Sequence, residues 1–201
     1  MANNTQYEIP TWNQIYNQLY NQAQKIRTTH YQPNIIIGIA RGGLIPSRIL
    51  ADLLEIHPFA TIQTEFYIDI AKTKQEPTIK QTLTTPIKDK KILLVDDVID
   101  TGKTHKLIQS HLQTQGATEI KTAVLYHKPQ AITTPDFYEK QTTHWIIFPW
   151  DTKETLKKIL QQPDKQQSKN EIKKIVKAGL PKQLTKTLLK DIQQEQQHAT
   201  L

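Results

Sequence analysis

The sequence of 201 residues contains no cysteine, and this absence excludes several kinds of site. Without cysteine the chain can form no disulfide bridge, no cysteine-ligated zinc site and no thiol nucleophile. Long apolar runs are also missing, since none approaches the roughly 20 residues that a helix needs to span a membrane. The first residues lack the basic and apolar segments of a signal peptide. We therefore expect a soluble, cytoplasmic protein with no membrane partner.

The seven histidines do not show the spacing of a metal site. His105 and His111 are six residues apart, which places them about 240° apart around a helix. We expect the histidines to be solvated or capping residues. The excess lysines behind the formal net charge of +7 gather after residue 153, away from the motifs described below. Nucleic acid is therefore not expected as a partner.

One segment near the middle of the chain combines a strand pattern with acidic and phosphate-binding patterns. Ile92-Leu93-Leu94-Val95 is an apolar run typical of a buried parallel strand. Asp96, Asp97 and Asp100 follow it, and Thr101-Gly102-Lys103-Thr104 leads into a helical pattern. Ionised carboxylates are costly to bury, so we predict that the strand ends in an acidic turn at the carboxyl edge of a sheet. Open α/β sheets bind their ligands at that edge.

The residue types of this segment suit a ribose phosphate. Residues 101–104 offer small side chains, backbone N–H groups and two hydroxyls at a helix N-terminus, which favours a phosphate. Asp96 and Asp97 can accept hydrogen bonds from a ribose diol or help hold Mg²⁺ carried by phosphates. A P-loop is an alternative interpretation, but its motif requires glycine at the position of Asp97. An acidic loop that only caps a helix is another.

Two segments resemble motifs of the type I phosphoribosyltransferases. Residues 92–104 are similar to the signature of that family for phosphoribosyl pyrophosphate (PRPP): an apolar run, Asp-Asp, two apolar residues, Asp-Thr-Gly, one residue and Thr. Residues 38–43, which end in Arg41-Gly42-Gly43, resemble the pyrophosphate loop of the family. Judged from the residues alone, Gly42 and Gly43 fit either a tight turn or a close approach of backbone N–H groups to pyrophosphate. Arg41 would add a planar fork of donors.

Two further segments resemble the xanthine-guanine and hypoxanthine-guanine members of the family. Residues 145–151 are similar to their Trp-Ile-x-x-Pro-Trp-Asp segment, and residues 126–129 to their Lys-Pro segment. The resemblance implies that Trp145 stacks on a purine, that the Ile146 backbone reads its edge and that Lys128 donates to the 6-oxo oxygen. An aromatic face suits stacking, and an ammonium group prefers a carbonyl acceptor. A buried aromatic without a ligand and a solvated lysine are the alternatives.

The resemblance implies an α/β fold with a three-layer, mostly parallel sheet flanked by helices, here over residues 1–152. The apolar patterns predict helices at 12–26, 44–54 and 104–115, and strands at 34–40, 61–70, 92–95, 120–126 and 143–148. Thr11 and Gln14 are expected to form a capping box, and Trp12 to lie in the core. The segment 69–90 is predicted to be a lid, a hairpin or disordered, with Lys72 and Lys74 as candidate pyrophosphate contacts.

Residues 153–201 are expected to form a small basic, helical extension rich in lysine and glutamine. The apolar spacing predicts a helix over 154–162, a linker over 163–169 and two short helices over 170–176 and 184–192. Packing against the core, oligomerisation and a small basic binding module are all compatible with this composition.

The function implied by the resemblance is Mg²⁺-dependent transfer of the phosphoribosyl group from PRPP to N9 of guanine, xanthine or hypoxanthine in purine salvage. Asp100 is the candidate acid/base, and Asp97 the candidate metal contact. The family also implies a homo-oligomer, a dimer or a tetramer. The alternatives are a PRPP-sensing regulator that binds nucleic acid through the basic tail, and an enzyme for orotate, uracil or adenine. The predicted PRPP-binding residues are Arg41, Gly42, Gly43, Asp96, Asp97, Thr101, Gly102, Lys103 and Thr104.

Overall fold

The computed structural model describes residues 5–67 and 76–198. Contacts between residues divide the chain into two compact units, and each is described by itself. The larger unit, Ile15–Thr143, carries the central sheet, and the smaller one comprises Met1–Gln14 and His144–Leu201. No helix in these described ranges is both long and apolar enough to cross a membrane.

The larger unit is built on a six-stranded sheet with the strand order β4-β3-β2-β5-β6-β7. All neighbouring strands are parallel except β4, which is antiparallel to β3. This is the predicted mostly parallel sheet, and helices flank it. The strands and helices are β2 (Ile35–Ala40), α2 (Leu44–Leu53), β3 (Phe59–Tyr67), β4 (Glu76–Gln81), β5 (Lys91–Ile99), α3 (Lys103–Thr114), β6 (Glu119–His127) and β7 (Phe137–Gln141), together with most of α1 (Trp12–Thr28).

Strands β2 and β5 form the centre of the core because their apolar runs are covered on both faces. Residues 35–37 and 92–95 are fully buried. Ile108 and Leu112 of α3 pack in one cluster with Ile92 and Leu94 of β5. The apolar runs without alternation therefore predicted these buried parallel strands correctly.

The order of strands creates a switch point between β2 and β5. The chain moves from β2 outward to β3 and β4, returns to β5 beside β2, and then continues outward to β6 and β7 on the other side. The loops that follow β2 and β5 consequently diverge. A crevice forms at such a point, at the carboxyl ends of the strands.

Two strand predictions for the larger unit need correction. β5 does not end before the aspartates, because Asp96 and Val98 continue its pairing with β6 at Val124 and Tyr126. The edge strand β7 was not predicted at all.

The segment 69–90 contains β4, which pairs with β3 as a hairpin. Lys72 and Lys74 lie outside the described residues.

Helix α1 begins with the predicted capping box. The Gln14 backbone N–H donates to Thr11 Oγ1 at 3.3 Å, and the Thr11 N–H donates to Gln14 Oε1 at 2.8 Å. The expectation that Trp12 lies in the core is wrong, since its side chain is 54% exposed. It instead contacts the ring of Trp150, with 5.6 Å between the ring centroids.

Replacing Thr11 with alanine is expected to lower the free energy of unfolding by about 1 kcal/mol, because the Gln14 N–H loses its acceptor. Urea denaturation followed by circular dichroism measures this change. Replacing the exposed mid-helix Asn17 with alanine is the matched control, and it should leave stability unchanged or slightly raised. An equal loss in both variants would contradict the role of the cap.

The smaller unit combines a short two-stranded sheet with three helices. Strand β1 (Tyr7–Glu8) pairs in parallel with β8 (Trp145–Ile146), and α4 (Thr152–Leu160), α5 (Lys165–Ala178) and α6 (Lys182–His198) follow. Its core contains the buried residues Ile147, Leu156, Ile159, Ile175, Leu180 and Ile192.

Two predictions for the smaller unit are wrong. A core strand over 143–148 is not formed, because only Trp145 and Ile146 pair, and they pair with β1 rather than with the central sheet. The linker over 163–169 is mostly helical. Asp164 caps α5 by accepting hydrogen bonds from the N–H groups of Gln166 and Gln167, so the helix begins at Lys165. A domain boundary after residue 152 stays a prediction.

Candidate active site

A cleft of about 560 Å³ lies at the switch point, at the carboxyl ends of β2 and β5. All of its lining residues belong to the larger unit. Those predicted from the sequence are Gly42, Asp96, Asp97, Asp100, Thr101, Gly102, Lys103 and Thr104. Ile39, Ala40 and Val98 lie within the two predicted segments but were not named as site residues, and Thr64 and His105 were missed.

The loop after β2 and the end of β5 are in direct contact through Gly42 and Asp97. A Cβ atom at position 42 would overlap the carboxylate carbon and both carboxylate oxygens of Asp97. Glycine is therefore required here by close approach. The two segments that resemble family motifs are thus close enough to contact one ligand.

The remaining residues of the predicted pyrophosphate loop are placed differently. Gly43 is buried, and its N–H donates to the Ile39 carbonyl at 2.8 Å, so this N–H is already used within the protein. Arg41 is exposed and is not among the residues that line the cleft, and the Ala40–Arg41 peptide bond is cis. Of the three residues Arg41, Gly42 and Gly43 that end this loop, Gly42 lines the cleft.

Asp96 and Asp97 are more buried than the sequence suggested, with 9% and 7% of their surface exposed. They are nevertheless placed at the cleft, where polar partners are available. The Asp97 N–H donates to Asp96 Oδ1 at 2.9 Å. The other oxygen of Asp96, Oδ2, lies 3.6 Å from Nε2 of His105.

The expectation that the histidines are solvated or capping is wrong for His105 and His127. His105 is the third residue of α3 and is only 3% exposed. Burial lowers its pKa from 6.5 to about 4, and the nearby Asp96 carboxylate does not offset this desolvation. The imidazole is therefore neutral at pH 7. His127 is also buried, against the ring of Tyr138.

The predicted phosphate-binding segment, residues 101–104, forms the turn that starts α3. Gly102 has a φ of +83°, a left-handed conformation that favours glycine, and it is the N-cap residue of the helix. The Thr101 carbonyl accepts a hydrogen bond from the Ile132 N–H at 2.9 Å, which braces the loop. The first N–H groups of a helix have no acceptor within it, so this turn offers donors to an anion.

Lys103 and Asp100 both line the cleft and both have partners within the protein. The Lys103 ammonium group contacts Glu76 Oε1 of β4 at 2.7 Å. Asp100 is exposed, directly after β5, and its Oδ1 accepts a hydrogen bond from the Gln130 side chain at 2.9 Å. This position leaves the carboxylate accessible at the cleft, as an acid/base residue must be.

The predicted purine residues fall in both units. Lys128 directly follows β6, is 7% exposed, and its backbone N–H donates to the Ile99 carbonyl at 2.9 Å. It is therefore not a solvated lysine. Trp145 belongs to the smaller unit with Ile146 and is 54% exposed, so it is not a buried core aromatic. These positions exclude a solvated Lys128 and a buried Trp145 without a ligand. Contacts of Lys128, Trp145 and Ile146 with a purine stay predictions.

The carboxylates at the cleft fit a metal ion that arrives with phosphates. Within residues 5–67 and 76–198 no group of three or more His, Asp or Glu side chains could hold an ion by itself. Mg²⁺ usually keeps several waters and is bound through one or two carboxylates and the phosphates of a substrate. Asp97, whose carboxylate lies beside Gly42 at the cleft, provides such a carboxylate.

Comparison with known proteins identifies the family. Residues 6–155 match the family model described as the phosphoribosyl transferase domain. A xanthine-guanine phosphoribosyltransferase of Nitratidesulfovibrio vulgaris is 34% identical over 119 residues, which are 58% of this chain and 68% of the relative. The enzyme of the same name from Gluconobacter oxydans is 28% identical over 148 residues, which are 73% of this chain and 85% of the relative.

A solved structure agrees with the sequence comparisons. The purine phosphoribosyltransferase of Pyrococcus horikoshii superposes with a TM-score of 0.65 and 38% identity, covering 72% of this chain and 93% of that one. Helices α5 and α6 lie outside the matched residues 6–155, which include the whole cleft. The chain therefore belongs to the phosphoribosyltransferase family and has the type I fold of that family.

Proposed function

We propose that this enzyme transfers the 5-phosphoribosyl group from PRPP to N9 of a 6-oxopurine, with release of pyrophosphate. The observation that carries the proposal is the contact of Gly42 with the Asp97 carboxylate. This contact joins the pyrophosphate loop to the PRPP segment in one cleft, which a sugar carrying phosphates at both ends would fill. The relatives named above act on purines, which supports the same class of base.

The roles of the PRPP-binding residues follow from the chemistry of each group. The Gly42 backbone N–H and the Arg41 guanidinium would hold the pyrophosphate. Turn 101–104 would hold the 5′-phosphate through its backbone donors. Asp96 and Asp97 would accept hydrogen bonds from the ribose hydroxyls, and Asp97 would contact the metal. Bound Mg²⁺ would neutralise part of the charge of the pyrophosphate.

The reaction requires that the purine be held in position and that one proton be removed from its imidazole ring. The bond from ribose C1′ to the pyrophosphate oxygen breaks with its electron pair on pyrophosphate, and a bond from C1′ to purine N9 forms. The charge on the ribose is oxocarbenium-like, so orientation of the two reactants is the main task of the protein. Asp100 would act as the acid/base at the imidazole ring of the purine and accept the proton that the base loses. The purine would stack on Trp145 and bond to the Ile146 backbone. Its 6-oxo oxygen would accept a hydrogen bond from Lys128.

Product analysis tests the proposal directly. The purified protein is incubated with Mg²⁺, PRPP and an equimolar mixture of guanine, xanthine, hypoxanthine, adenine, uracil and orotate, and the products are separated by chromatography. We expect 6-oxopurine nucleoside monophosphates and an equal amount of pyrophosphate. Products formed only from the other three bases would overturn the assignment of the base. Binding of PRPP without turnover would instead favour a PRPP-sensing regulator. We further propose that the enzyme is a cytoplasmic homo-oligomer, like other members of the family.

A further inference from the structure

The C-terminal extension holds most of the excess positive charge of the chain. Residues 153–201 contain eleven lysines and five acidic residues, a net charge of +6 out of a formal +7 for the whole chain. Almost all of this extension lies beyond the matched residues 6–155. The reaction of the family therefore does not account for the charge.

The lysines of α5 and α6 are arranged in rows. They occupy every fourth position of each helix, and all are exposed. Residues four apart lie on the same face of a helix and are separated by about 6 Å along its axis. We call these residues the lysine rows: Lys165, Lys169, Lys173 and Lys177 on α5, and Lys182, Lys186 and Lys190 on α6.

The lysine rows make no ion pair with any described residue, whereas the other lysines of the extension are paired. Like charges four residues apart destabilise a helix, so a row without acidic neighbours is an arrangement that costs stability. Three acidic side chains of the extension pair with these other lysines. The pairs are Lys153 and Lys157 with Glu195, Lys158 with Glu154, and Lys174 with Glu171.

The surroundings of the rows favour one kind of polyanion. No Phe, Tyr or Trp follows Trp150, so the extension has no platform on which the bases of a single strand could stack. On α5 no large apolar side chain is exposed, and on α6 Leu184 alone is, which is too little for insertion into a membrane. Gln166, Gln167 and Asn170 are exposed beside the α5 row. Amide and ammonium donors together suit the phosphate oxygens of a duplex.

We propose that the lysine rows bind the phosphodiester backbone of duplex nucleic acid without reading its sequence. This inference departs from the expectation drawn from the sequence, because the sequence does not reveal which lysines are paired. It is independent of the proposed reaction, since the rows and the cleft belong to different units.

The test measures binding of the full-length protein to a short, fluorescein-labelled DNA duplex of mixed sequence by anisotropy, over a range of salt concentrations. The α5 variant K165Q/K169Q/K173Q/K177Q removes one row. We expect its affinity at about 50 mM salt to fall about tenfold or more, and the slope of log K against log salt to become shallower by about 3 to 4, since each lost phosphate contact removes about 0.9. A variant of the α6 row should show a smaller change in the same direction.

A charge-matched variant separates a local site from overall charge. The control variant K25Q/K80Q/K88Q/K91Q removes four exposed lysines of the larger unit. It should change the affinity for the duplex less than about twofold. Circular dichroism and the transfer assay check that each variant is folded and active. An equal loss in both quadruple variants, or no duplex binding by the unaltered protein, would overturn the proposal. Binding to vesicles rich in phosphatidylserine without binding to DNA or RNA duplexes would overturn it as well.

Discussion

Replacing Asp100 with asparagine is expected to lower the turnover number by about 100-fold or more. Asparagine has nearly the same shape and can still bond to the Gln130 side chain, which now lies 2.9 Å from Asp100 Oδ1. It cannot take up or deliver a proton at the purine. The Michaelis constant for PRPP should change little, because Asp100 is assigned to the base and not to the sugar phosphate. Steady-state kinetics with guanine as the acceptor measures both constants.

The control for this prediction is the same chemical change at a remote carboxylate. Asp89 precedes β5, at the opposite end of the strand, and its φ of +61° is one that asparagine tolerates. The Asp89→Asn variant should keep its turnover number. If Asp100→Asn were as active as the unaltered enzyme, Asp100 would have no part in proton transfer.

Replacing Gly42 with alanine is expected to lower kcat/KM for PRPP by about 100-fold, the scale of loss that a displacement of about 1 Å causes in an active site. The added methyl group would overlap the Asp97 carboxylate, so either the loop or the carboxylate must move. Both are assigned to PRPP, and the effect should therefore appear in the kinetics of PRPP and not in those of the purine. Isothermal titration with Mg-PRPP checks the binding step separately.

Gly116 offers a matched glycine away from the cleft. It follows α3 with a φ of +89°, so Gly116→Ala is strained and should lower stability by about 1 kcal/mol. The folded fraction should nevertheless retain its kcat/KM. A Gly42→Ala enzyme with unchanged PRPP kinetics would show that the contact between the two loops does not matter for substrate binding.

Much of the fold and the cleft follows from local patterns in the sequence. The buried runs 35–37 and 92–95 show no alternation because helices cover both faces of the sheet. The capping box of Thr11 and Gln14 uses only bonds within four residues, so its residue types suffice to predict it. The turn at Gly102 is predictable for the same reason.

The features that the sequence did not reveal depend on contacts between distant segments. His105 is buried because the first turn of α3 lies beside Asp96, and nothing in its neighbours along the chain shows this. Thr64 reaches the cleft next to a register shift between β3 and β4. A short strand such as β8 is equally hard to predict, because only its pairing with β1 defines it.

Asp96 and Asp97 are consecutive residues within β5, and this has a consequence for how the family can evolve. Side chains alternate between the two faces of a strand, so Asp96 turns toward His105 while Asp97 turns toward Gly42. One residue inserted or deleted between Lys91 and Val95 would exchange these directions and abolish both contacts at once. Insertions and deletions in homologous chains should therefore be confined to the connections between strands, and β5 should keep a constant length.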